Sequence, residues 1–62
     1  MIKVSYVIQN VLDINSFWDG NKFTHILDAE YYENEYEATS ILKNINTIVP
    51  LAIVKVYVNS NE

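Results

Sequence analysis

The residues with the greatest chemical potential are crowded into one run, Asp28-Ala-Glu-Tyr-Tyr-Glu-Asn-Glu-Tyr-Glu37. It holds five of the eight acidic residues, Asp28, Glu30, Glu33, Glu35 and Glu37. It also holds three of the five tyrosines, Tyr31, Tyr32 and Tyr36, and no Lys, Arg or His. Three kinds of chemistry fit. A row of carboxylates can mimic a phosphate backbone and fill the groove of a nucleic-acid-binding protein. Tyrosines can anchor an ordinary protein interface, with the acids at its rim. Or Glu35 and Glu37 simply complement the positive end of a helix, Tyr32 and Tyr36 pack inward, and the other acids are solvated. The residues expected at a partner-binding surface are Asp28, Glu30, Tyr31, Glu33 and Tyr36. Trp18, beside a turn, is held in reserve. Phe17 and Trp18 are adjacent on a strand, so one ring faces the core and the other faces away.

Catalysis finds little else to use. His25 is the only histidine and falls on a predicted strand, where a structural or surface role is expected. The chain has no cysteine, hence no thiolate nucleophile, thiolate metal site or disulfide. Ser5, Ser16, Ser40 and Ser60 lack a Gly-x-Ser-x-Gly elbow or a base at a workable spacing. Carboxylate pairs are plentiful, but a glycosidase-type pair needs a cleft. Asp19-Gly20-Asn21 matches two positions of a calcium loop, and the rest of that pattern is missing. Glu33 and Glu37 share a helical face, which Glu35 does not join. One glycine cannot make a glycine-rich phosphate loop. No enzymatic activity, metal or cofactor is expected.

Sixty-two residues make one domain, 1–62. Half of them are hydrophobic, which suits a packed core and not disorder. The net charge is −4, and all four cations are lysines. That balance weighs against nucleic-acid phosphates and against anionic membrane surfaces. No apolar run approaches the roughly 18 residues of a membrane span. The first residues alternate in polarity and do not form a signal peptide. A cytoplasmic protein is expected. A chain this small buries a limited fraction of its surface. Without disulfides, its usual aid is oligomerisation or a partner.

The elements that must position the acidic run follow from periodicity. Residues 2–9 alternate, with Ile2, Val4, Tyr6 and Ile8 on one face and Lys3, Ser5, Val7 and Gln9 on the other. Phe17 to Phe23 reads as a hairpin around Asp19-Gly20, with strands at about 14–18 and 22–27. Residues 35–46 read as a helix with an apolar stripe of Ala38, Ile41, Leu42 and Ile45. Asn34 is its N-cap, Glu37 resembles the far corner of a capping box, and Lys43 lies near its end. Residues 51–58 form the last strand, with Ala52, Val54, Val56 and Val58 on one face and Leu51, Ile53 and Tyr57 on the other. A strand apolar on both faces is expected at the centre of its sheet, or covered on its second side. The polar tail, 59–62, is expected to fray.

The fold class is therefore α+β in the order β-β-β-α-β. An antiparallel sheet of three to four strands carries one helix on one face, and the last strand pairs beside the first. The second sheet face is then left open. An apolar patch there would be an interface, so a structural or regulatory homodimer is the alternative to an inhibitor.

The layout of a short strand Tyr6–Asn10, an aromatic hairpin, Asp28-Ala29 followed by Tyr32, Asn34 and Glu37-Ala38, and a closing Ile53–Val58 resembles small uncharacterised proteins of bacteriophages and related mobile elements. Eight Asn and eight Ile with no Arg also fit an AT-rich gene. The resemblance implies a non-enzymatic protein that binds a host protein and inhibits or modulates it, in host takeover or anti-defence, in the host cytoplasm.

Overall fold

The structure, a computed structural model, describes residues 1–59. The fold is α+β: four antiparallel strands and one helix. The strands are β1 (Ile2–Asn10), β2 (Asp13–Trp18), β3 (Phe23–Thr24) and β4 (Leu51–Asn59), and the helix is α1 (Glu35–Lys43). A short 3-10 turn covers Ile26–Asp28. The sheet order is β3-β2-β1-β4, so the first and last strands are neighbours. Asn59 closes β4; the remainder of the expected tail, 60–62, lies outside the described residues.

The register assigns every side chain of the β1–β4 pair to a face. Val4 pairs with Tyr57, Tyr6 with Lys55, Ile8 with Ile53 and Asn10 with Leu51. These residues face α1. Ser5 pairs with Val56, Val7 with Val54 and Gln9 with Ala52, and these face away from it. On the helix face, Ile8, Tyr32 and Ala38 form the buried cluster, packed by Tyr6, Trp18, Ile41, Leu42, Ile45, Leu51 and Ile53. The apolar stripe of α1 is thus the one its spacing predicts. Val7 is also fully buried, on the opposite face.

The turn between β2 and β3 is built by Asp19. Its backbone N–H donates to the Lys22 carbonyl (2.9 Å). Its carboxylate accepts from the backbone N–H groups of Asn21 and Lys22, both at 2.7 Å. Those two bonds, Lys22 first, hold its pKa below the ordinary aspartate value. Gly20 takes φ 103°, a conformation that L side chains rarely adopt.

Three expectations are corrected. The strand expected at 22–27 stops after Thr24. The chain turns into the 3-10 segment, where the Asp28 N–H donates to the His25 carbonyl (3.0 Å). Turning early lets the Glu30 N–H reach the Trp18 carbonyl (2.9 Å), so residues 30–32 run beside β1 where β2 ends. The helix expected to reach residue 46 ends at Lys43. Asn44 donates from its side chain to the Ser40 carbonyl (2.9 Å), and its N–H bonds back to Ile41 in a tightened last turn. Ile45 still packs against the core from beyond the helix end. Finally, β4 is not central. It is the outermost strand beside β1, despite its apolar groups on both faces.

Candidate functional site

The acidic run is held at both ends and in its middle. Tyr32 exchanges two backbone hydrogen bonds with Tyr6, its N–H donating to the Tyr6 carbonyl at 2.8 Å and its carbonyl accepting at 2.9 Å. This bridge fixes Tyr32 on the helix face, where its ring is buried. The alternation of an extended chain then puts Tyr31 and Glu33 on the other side. Tyr31 lies beside Val7 by the same register. Its hydroxyl donates to the Ile26 carbonyl (2.7 Å), which ties the ring back to the 3-10 turn.

Downstream, Asn34 caps α1. Its side-chain oxygen accepts from the Glu37 N–H at 2.7 Å, satisfying one of the open donors of the first turn. Glu35 and Glu37 stand in that turn, where the helix dipole favours negative charge. Tyr36 between them is 83% exposed. The inward role weighed for Tyr32 and Tyr36 is therefore met by Tyr32 alone.

Asp28, Glu30, Glu33, Glu35 and Glu37 are all exposed. They flank Tyr31 and Tyr36 along the chain, and Tyr31 keeps 38% exposure despite its tether. Tyr32 beneath them feels the charge. Burial chiefly, then Glu30 and Glu37, raise its pKa above the ordinary tyrosine value. All five expected contact residues, Asp28, Glu30, Tyr31, Glu33 and Tyr36, are exposed, but Tyr31 and Glu33 turn to the side away from the Tyr32 ring while Tyr36 stands on α1. Trp18 is elsewhere in role: it is half-buried on the helix-face core, with its ring edge-on to Phe23 (centroids 5.3 Å apart, 65° between planes).

Chemically, this surface can offer carboxylates and phenols to a partner. His25 lies exposed just past β3, at the start of the 3-10 turn. No pocket and no cluster of three metal-ligating side chains occurs among the described residues. No helix among them is long and apolar enough to cross a membrane.

A second surface escaped sequence reasoning. On the helix face, the far ends of β1 and β4 run beyond the core cluster, leaving Ile2, Val4 and Tyr57 exposed. The signal was present in the two-faced apolar pattern of β4, but that pattern points to a central strand and not to an edge. No protein-family model, curated protein or solved structure matches the chain.

Proposed function

We propose that this chain is a small non-enzymatic binding protein of a bacteriophage or related mobile element. In this reading it sits on a host protein in the host cytoplasm and inhibits or modulates it. The observation that carries the binding half is Tyr36. A large aromatic ring stands 83% exposed in a run that carries five exposed carboxylates, on a segment pinned by the Tyr6–Tyr32 bridge and the Asn34 cap. Rigid aromatic groups lose little entropy on binding and serve well as anchors. The carboxylates steer a basic target toward them. The phage half rests on the likeness of layout and on the Asn- and Ile-rich, Arg-free usage.

The partner expected is a protein with a basic rim around an apolar recess, and its binding weakens as salt rises. The test is capture from host lysate by the wild type and by a Glu30→Gln/Glu33→Gln/Tyr36→Ser variant, whose three changes are all at exposed positions. The wild type retains a partner that the folded variant loses. Identical captured proteins from both would refute the site. A gene embedded in a conserved housekeeping operon would refute the mobile-element origin.

A further inference from the structure

We propose that two copies of this chain pair through the outer edge of β4, antiparallel about Val56, into one continuous eight-stranded sheet. The inference concerns a different surface from the acidic run. Tyr32 joins β1 on its β2 side, whereas β4 lies on the other side of β1, so either proposal can fail without the other.

The edge itself argues for a strand as its occupant. Nine residues of β4 are paired to β1 on one side only. Exposed edges are normally blunted by proline, bulges, charge or shortness. The opposite edge of this sheet is so blunted, because β3 is two residues long. The β4 edge has no proline, one lysine and an unbroken register with β1. Its residues carry the two-faced apolar pattern of a central strand, and a second strand would make β4 central.

Charge argues that the strand is a second copy. Each chain carries a net charge of −4, so copies approach best where carboxylates are absent. β4 has none, and its only charge is Lys55. A two-fold axis through Lys55 would oppose two lysines, which is unfavourable. An axis through Val56 instead sets Lys55 against the partner's Tyr57, Val54 against its Val58 and Ile53 against its Asn59. Tyr57 is 67% exposed and supplies the aromatic face that an ammonium group favours. With one long edge per chain, the assembly closes at two and does not polymerise.

Sedimentation across the micromolar range tests this with variants at an exposed position. The wild type is expected to be a dimer that dissociates on dilution. Tyr57→Lys places Lys against Lys twice and should weaken association at least tenfold. Tyr57→Glu places Lys against Glu twice and should preserve it. A wild type that stays monomeric would overturn the proposal, as would equal loss in both variants, which indicates an apolar-face contact without this register. Cysteine substitution gives an independent reading in a chain that has none of its own. Paired residues in antiparallel strands have Cα atoms about 4.5–5.5 Å apart, within disulfide reach. Val56→Cys should therefore cross-link rapidly. Val54→Cys, about 13 Å from its copy by strand rise, should not. Equal cross-linking of the two would refute the register even if a charged variant failed to fold.

Discussion

Ile8 offers the sharpest test of where stability resides. Its side chain has no exposed surface and meets Tyr32 and Ala38 in the buried cluster. Removing one methyl group, Ile8→Val, leaves a small void that close packing cannot fill, and should cost about 0.5–1.5 kcal/mol. A 62-residue domain has roughly 3–9 kcal/mol of total stability at typical per-residue values. The loss is thus a sizeable fraction of the whole. With a urea m-value of about 1 kcal/mol/M, the midpoint should fall by roughly 0.5–1.5 M. Trp18 packs against the same cluster, so its fluorescence reports the transition directly. Ile2→Val removes the same methyl group from a side chain 61% exposed on the same strand and face, and should shift stability by less than about 0.5 kcal/mol. Ile8→Ala should cost about 2–5 kcal/mol and populate the unfolded state without denaturant. Equal midpoint shifts for Ile8→Val and Ile2→Val would refute the assignment of the core to the helix face around Ile8.

Asn34→Ala removes the acceptor for the Glu37 N–H and should cost about 1 kcal/mol, or about 4–8 °C in melting temperature by circular dichroism. Gly20→Ala meets no atom within 4 Å of its new Cβ, so its expected loss of about 1–2 kcal/mol comes from the backbone at φ 103° alone; Gly20→Asn should lose less in the same melting assay. For Tyr32 the folded-state pKa is raised, so the neutral phenol is the form the fold favours. Its stabilisation is complete below the unfolded value of about 10 and lost as pH rises through the folded value. Alkaline unfolding should therefore be displaced to higher pH in Tyr32→Phe, and an unchanged alkaline limb would refute that linkage.

Local chemistry was the most legible part of the fold. The alternation of β1, the Asp19-Gly20 turn, the Asn34 cap and the Ala38-Ile41-Leu42-Ile45 stripe each follow from residues close in sequence. What escaped depends on residues far apart. The end of β3 at Thr24 is set by the need of Glu30 to reach Trp18, which no window of neighbouring residues contains. The inward turn of Tyr32 depends on the bridge to Tyr6, whereas the outward turn of Tyr36 follows from its place in the first turn of α1, five positions before Ile41. At the candidate site, the acids were legible as a surface because charge without a partner stays in water. Trp18 was ambiguous because strand alternation says that one of two adjacent rings faces inward, without saying which.

The pairing of β1 with β4 also dictates when this protein can fold. These strands are neighbours in space, yet residues 11–50 lie between them. At about 5–20 residues per second of synthesis, the intervening residues 11–50 place the synthesis of β4 roughly 2–8 s behind that of β1. The hairpin around Gly20 and the first turns of α1 can form in microseconds, but they leave one flank of β1 without a strand. During that interval Val7 and Ile8 lack Val54 and Ile53, their partners on β4. Long-range closure then makes folding slower than a helical chain of equal length would allow. A nascent chain of this kind is most exposed to aggregation through its first ten residues, and stabilising the hairpin or the helix would do nothing to shorten the wait.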